Sequence, residues 1–439
     1  MNDSIVARGL KRMRKLVGAE PGPARLPFRQ LQLLRQQLRE CAEGFGGEVS
    51  ARARAARLGE TYLRLDTNGR HELLRLIALE FGPDPMAVER AHAVYQAAIG
   101  TAAQWDAEAG LRAAMRSARL RILTQFNALP QGMKFLVDLR QDLLNLLDQD
   151  PELAALDREL ETRLTGWFDV GFLELSRITW NSSALLLEKL IRYEAVHEIS
   201  SWADLKNRLD SDRRCYAFFH PRMPLEPLIF VEVALTNRLA DSVQSLLDES
   251  AQVFDAARAD TAIFYSISNT QAGLRGISFG NFLLKRVIDD LKRDFPKLKS
   301  FATLSPLPKL ASWVKLNPGA LAATGIELGA LRTGEWANDK PLARRLRDPL
   351  QQLAARYLLQ GGSRSLGPFD PVARFHLGNG ARIERINWLA DTSSKGFRQS
   401  FGLMVNYLYD PEEIENNVEA FSNDRRITAS ASVRRMART

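Results

Sequence analysis

The hydrophobic periodicity of the chain changes once, near Trp167, and no other feature limits the fold as tightly. Before that point apolar residues recur at helical spacing. Leu31, Leu34, Leu38 and Cys41 form one such set, Leu73, Leu76, Ile77 and Phe81 a second, and Phe135, Leu136, Leu139, Leu143 and Leu146 a third. Breakers separate these stretches at Gly46-Gly47, Gly82-Pro83-Asp84-Pro85 and Pro130-Gln131-Gly132. Asp84 ahead of Pro85 reads as a cap and a first turn, which starts a helix over Met86–Ile99. Ala, Leu, Arg and Glu are frequent, and all favour helix. Residues 1–166 therefore predict an all-α helical bundle.

Beyond Trp167 short β-rich runs bounded by turn residues appear. Cys215–Phe219, Leu228–Leu235, Ala262–Ile267, Ser300–Leu304, Ala381–Leu389 and Gly402–Tyr409 read as strands. Phe282–Leu291 and Pro341–Leu359 read as helices, the second closed by Gly361-Gly362. Residues 167–439 predict an α/β domain, so the whole chain is expected to be α+β. A length of 439 residues suits two or three domains of roughly 100–200 residues each.

Composition removes several functions. Two cysteines, Cys41 and Cys215, cannot form a disulfide framework or a four-thiolate zinc site, and they suit a reducing compartment. No apolar run reaches the ~18 residues of a membrane span. The net charge is +8, but 60 basic residues are spread among 52 acids without a nucleic-acid-binding motif. That surplus fits a solvated basic surface or an anionic small molecule such as a coenzyme A ester. Arg8, Lys11, Arg12, Arg14 and Lys15 read as a basic first helix, with a mitochondrial transit segment as the alternative. Cytoplasmic residence is the expectation. Five histidines include no pair with metal-ligand spacing backed by acids or thiols, so no catalytic metal is expected.

The stretch Ser266–Asn281 suggests a ligand. Three glycines sit in a turn between a strand and an amphipathic helix. Such a turn aims backbone N–H groups at phosphate oxygens, and the helix N-terminus adds a favourable dipole. A purely structural turn that uses glycine for positive φ has the same appearance. The stretch lacks the Gly-Lys-Ser/Thr of a Walker A loop, and its glycine spacing is wrong for a dinucleotide fingerprint. It resembles the pyrophosphate loop of the GNAT acyltransferase superfamily, with Arg275, Ser278 and Gly280 at the three defined places and Ser278 replacing a glycine.

A longer set of motifs is more specific. Ala262–Ser268, Phe282–Val287, Leu304-Ser305-Pro306-Leu307-Pro308, Phe375–Ala381, Arg385–Asp391 and Gly402–Tyr409 follow one another in the order found in the malonyl-CoA decarboxylase family. Thr179-Trp180, Glu194-Ala195-Val196-His197 and Arg213-Arg214-Cys215-Tyr216 fit the same family upstream. The resemblance covers about residues 165–420. It implies a helical domain used in oligomer contacts, as a dimer or tetramer, joined to a GNAT-like catalytic domain with a mixed sheet. It implies catalytic roles for Ser305, His376 and Tyr409. Coenzyme A is then expected to lie against Arg275, Gly276, Ile277, Ser278, Phe279, Gly280 and Asn281. Ser278 stands where the family often has Glu, so no carboxylate-dependent step is carried over to it.

On their own residues these positions are unremarked. Ser305 before Pro306 reads as a strand-end turn, His376 as a structural histidine and Tyr409 as an aromatic on a strand face. The chemistry nonetheless asks for such types. Loss of carbon dioxide from a malonyl thioester leaves an enolate, and the thioester is its own electron sink, so no cofactor is expected. A hydroxyl can orient the carboxylate, hydrogen-bond donors can stabilise the enolate oxygen, and a histidine can protonate carbon. Malonyl-CoA and acetyl-CoA are the expected partners, without nucleic acid or membrane. The alternative is a CoA-dependent acyltransferase built on the same loop, which would need an acceptor pocket and a base that the sequence does not display.

Overall fold

A computed structural model of the chain describes residues 26–43, 47–277, 283–360 and 370–438. Contacts divide them into two compact units. The first runs to Phe168 and takes in the short stretch beginning at Gln271; the second holds the other described residues.

Among the described residues, eight helices build the first unit: α1 (Phe28–Glu43), α2 (Gly47–Arg64), α3 (Thr67–Glu80), α4 (Pro85–Ala98), α5 (Gln104–Ala114), α6 (Ala118–Asn127), α7 (Gly132–Leu146) and α8 (Ala154–Trp167). The predicted cap is present, since the Asp84 carboxylate accepts the Met86 N–H at 3.0 Å. Helix α7 turns Met133, Leu136, Val137, Leu139 and Leu143 inward, matching the apolar stripe in the sequence. At roughly 1.5–3 kcal/mol for each fully buried large aliphatic side chain, that stripe rather than intrinsic propensity holds the helix in place. Helices α4 and α5 differ. Ala98 is the buried residue of α4, and α5 buries none.

The second unit is built on an eight-stranded mixed sheet. Its strands are β1 (Glu174–Ile178), β2 (Arg213–Phe219), β3 (Ile229–Thr236), β4 (Thr261–Asn269), β5 (Ser300–Thr303), β6 (Ser305–Pro306), β7 (Arg382–Asn387) and β8 (Met404–Tyr409). The order is β1-β2-β3-β4-β5-β8-β6, with β7 also on β8. Among these strands only the β4–β5 pair runs parallel, and helix α11 (Leu283–Asp294) lies between them in sequence, as a parallel connection requires. This is the α/β unit with a mixed sheet expected from the sequence. Helices α9 (Ala184–Tyr193) and α10 (Trp202–Arg208) cover part of the sheet through Leu186, Leu190 and Leu205 against Cys215, Ala217 and Phe230. Each strand anticipated from the sequence is found, with its ends within two residues of those expected. Two more, β1 and β6, carry no apolar alternation long enough to announce them.

Among the described residues, no helix is long and apolar enough to cross a membrane.

Candidate active site

Strand register brings Ser305 and Tyr409 to one place. Strand β8 pairs with β5 through Phe301 opposite Tyr409, and with β6 through Ser305 opposite Val405. Opposed residues share a face and the side-chain period is two. Thr303 and Ser305 therefore rise beside Tyr407 and Tyr409. The third residue arrives from helix α12 (Pro371–Gly378), which carries His376 in its last turn. Asp370 fixes the start of that helix by accepting the N–H groups of Val372 (2.9 Å) and Ala373 (3.1 Å), with Pro371 in the first turn. The Tyr357 hydroxyl donates to the other Asp370 oxygen at 2.7 Å. Asp370-Pro371 is the same signal as Asp84-Pro85, and it could have located this helix in the sequence.

The three expected catalytic side chains form one hydrogen-bonded row. Ser305 Oγ lies 3.0 Å from His376 Nε2, although the residues are 71 positions apart. His376 Nδ1 lies 2.7 Å from the Tyr409 hydroxyl. Sequence reading missed two neighbours. Thr303 Oγ1 accepts the Ser305 hydroxyl proton at 2.8 Å and the Tyr407 N–H at 3.2 Å. The Tyr407 ring stacks on the imidazole at 4.5 Å and 25°. Ser305, Thr303, His376, Tyr407 and Tyr409 are all buried. Burial pushes the His376 imidazole down to about 3, so the ring is neutral at physiological pH. The helix C-terminus favours a cation by only about 0.3–1 kcal/mol, too little to oppose that desolvation. Burial also pushes the Tyr409 phenol well above its ordinary value, which keeps its proton in place.

Residues around the row fix the strands that carry it. Asn406 donates to the Thr303 carbonyl at 2.7 Å and accepts from Arg385 (3.0 Å) and Asn387 (2.9 Å), and all three lie in motifs that carried the family resemblance. The Glu194 carboxylate accepts the Ser266 hydroxyl and the N–H groups of Val196 and His197, which ties the Glu194–His197 motif to β4.

The expected coenzyme loop is described in part. Gln271–Ile277 belongs to the first unit, where Gly273 packs on α7 so closely that an added Cβ would meet the Val137 carbonyl oxygen at 1.8 Å. Arg140, also on α7, donates to the carbonyls of Gly273 (3.0 Å) and Arg275 (2.9 Å). Its other contacts are Asp157 at 3.0 Å and Glu161 at 3.1 Å. Arg275 and Gly276 are exposed, Ile277 is buried, and Gly276 has φ of +86°, a conformation that suits glycine. Ser278, Phe279, Gly280 and Asn281 lie outside the described residues. Among the described residues, no group of three or more His, Cys, Asp or Glu is placed to hold a metal ion.

A helical unit, a mixed sheet and a buried Ser–His–Tyr row define an α+β enzyme of the kind the sequence motifs suggested. Residues 171–439 match the malonyl-CoA decarboxylase C-terminal domain, and residues 81–168 match the N-terminal domain of the same family. A mitochondrial malonyl-CoA decarboxylase of Anser anser anser is 36% identical over 87% of this chain and 83% of its own length. The crystal structure of malonyl-CoA decarboxylase from Rhodopseudomonas palustris is 42% identical and superposes with a TM-score of 0.85, covering 93% of this chain and 100% of the other. That from Agrobacterium vitis is 40% identical with a TM-score of 0.84, covering 92% and 99%. The chain belongs to the malonyl-CoA decarboxylase family.

Proposed function

We propose that the chain converts malonyl-CoA to acetyl-CoA and carbon dioxide through a thioester enolate that His376 protonates. The observation that carries this is the Ser305–His376–Tyr409 row, at 3.0 and 2.7 Å, on the positions the family motifs single out. Ser305 is assigned to the malonyl carboxylate. The bond between that carboxylate and C2 breaks, its electron pair forms the enolate, and carbon dioxide leaves. The His376 N–H then delivers its proton to C2, and the imidazole regains one from water before the next turnover. A neutral imidazole is a weak acid, but a thioester enolate is a stronger base than imidazolate, so the transfer runs downhill. Removal from water favours neutral carbon dioxide over the carboxylate that precedes it.

Arg275, Gly276, Ile277, Ser278, Phe279, Gly280 and Asn281 are assigned to coenzyme A, which the exposed Arg275 and the conformation of Gly276 support. No cofactor is required, because the thioester stores the electrons itself. Assembly as a dimer or tetramer is assigned to the helical unit, which exposes Met86, Val94, Ile99 and Trp105 on and beside α4 and α5. Cytoplasmic residence completes the proposal.

The test is carbon dioxide release from malonyl-CoA by chelator-treated protein with no acyl acceptor. Turnover is expected to survive chelation. A need for zinc or magnesium overturns the cofactor assignment, and release only with an amine acceptor points to an acyltransferase. His376→Asn is expected to lower kcat by about 10²–10⁴-fold with acetyl-CoA affinity within a few-fold. Ser305→Ala is expected to lower kcat and to weaken malonyl-CoA relative to acetyl-CoA. A folded His376→Asn variant with near-normal kcat refutes the proton-donor role.

A further inference from the structure

We infer that Thr303 is a positioning residue that fixes which nitrogen of His376 carries the proton. This rests on the proposed proton-donor role of His376.

The inference follows from a count of donors. A neutral imidazole has one N–H, and the partner of each nitrogen decides where it sits. Ser305 has one hydroxyl proton, and it goes to Thr303 Oγ1 at 2.8 Å. That proton rests on Thr303 in the free site and turns to the malonyl carboxylate when substrate binds, so none is left for His376. The 3.0 Å contact between Ser305 Oγ and Nε2 must be made by an N–H on Nε2. Nδ1 is left as the acceptor, and the Tyr409 phenol, which keeps its proton, donates to it at 2.7 Å. Donation therefore runs in one direction, from Tyr409 to His376 to Ser305 to Thr303. The nitrogen beside the reactive hydroxyl holds the proton that carbon needs.

Thr303 can impose this because it is itself held. It is fully buried on β5, its carbonyl accepts from Asn406 at 2.7 Å, and its Oγ1 also accepts the Tyr407 N–H at 3.2 Å. Without that oxygen the Ser305 hydroxyl has His376 Nε2 as its remaining acceptor and turns toward it. The imidazole proton then moves to Nδ1 and is donated to Tyr409. Heavy atoms scarcely move, but the nitrogen facing the substrate has no proton to give.

Thr303→Val keeps the branched shape and removes the oxygen, whereas Thr303→Ser keeps an oxygen. Thr303→Val is expected to lower kcat about 10²-fold, the lower end of what positioned acid catalysis supplies. Affinity for acetyl-CoA is expected to stay within about 3-fold, and Thr303→Ser to recover most of kcat. Nitrogen-15 NMR of histidine-labelled protein reads the tautomer directly. The His376 Nε2 signal is expected to be protonated in the unsubstituted protein and in Thr303→Ser, with the proton on Nδ1 in Thr303→Val. A Thr303→Val kcat within about 3-fold of normal overturns the inference, as does a proton on Nδ1 in the unsubstituted protein. The second result stands even where Thr303→Val does not fold. His376→Asn separates this inference from the reading beneath it. If that variant keeps its kcat, the donor role fails; if it loses kcat while Thr303→Val does not, only the role of Thr303 fails.

Discussion

Arg140 offers a way to test the coenzyme role proposed for Gln271–Ile277. The guanidinium is buried and donates to the carbonyls of Gly273 and Arg275 while pairing with Asp157 and Glu161. Arg140→Met keeps much of the bulk and removes every donor. Two effects are expected. Asp157, at 11% side-chain exposure, is left without its cation, and breaking a buried pair from one side costs about 3–5 kcal/mol. At about 2–4 °C per kcal/mol for a unit of this size, the melting midpoint of the first unit should fall by about 6–20 °C. Separately, Gln271–Ile277 loses its hold on α7. Ordering one backbone residue costs roughly 1–2 kcal/mol, so releasing one of them is expected to weaken coenzyme A by about 5–30-fold.

The double variant Arg140→Met with Asp157→Leu separates the two. Removing the stranded carboxylate along with its partner is expected to restore most of the lost stability, since a buried pair replaced by apolar groups of similar size is often neutral. It does nothing for the two carbonyls. Calorimetric titration with coenzyme A, beside thermal unfolding of the same proteins, reads both quantities. Recovered stability with persistently weak binding is the expected result. A double variant that is stable and binds coenzyme A normally would falsify the claim that Arg140 holds this segment for the ligand.

The pH profile gives another test. His376 is neutral from about pH 4 upward, so kcat should show no histidine inflection between about pH 5 and 8; a rate that falls above 6.5 would mean that imidazolium is the donor. Stability follows the same shift. The unfolded histidine takes up a proton near 6.5 and the folded one only near 3, so the stability present above 6.5 should drain away as pH falls through that window. Sedimentation of the full chain is expected to show a dimer or tetramer, and a monomer at micromolar concentration would remove the assembly assigned to the helical unit.

Long periodic segments were legible in the sequence because burial writes them there. Helix α7 and strands β2, β3 and β4 each bury one face or nearly all of their side chains, and apolar spacing records that directly. Strand β1 was not legible, because four of its five residues stay at least partly exposed. Strand β6 is two residues long and includes a proline. The site divides in the same way. Ser305, His376 and Tyr409 were reached through family motifs, whereas Thr303 and Tyr407 were not. Their roles depend on which strand lies opposite which, and one-dimensional spacing does not contain that. Arg140 was hidden for a related reason: its partners Gly273 and Arg275 lie 133 and 135 positions away.

The second link of the row, His376 to Tyr409, spans 33 positions, and together the contacts draw on three separate parts of the chain. Strand β8 reconciles them. It pairs with β5 near Tyr409 and with β6 near Val405, so one strand sets the distance between the hydroxyl of Ser305 and that of Tyr409. A register slip of one residue would turn Tyr407 and Tyr409 to the opposite face and bring Met404, Asn406 and Leu408 forward. Asn406 opposes such a slip, because its side chain reaches the Thr303 and Ala240 carbonyls only from the face it now occupies, where it also meets Arg385 and Asn387. With those partners out of reach it would be a buried amide with four unmet hydrogen-bonding needs, at a cost of about 1–3 kcal/mol for each group left unpaired. The polar cluster behind the sheet thus specifies the register, and the register specifies the site.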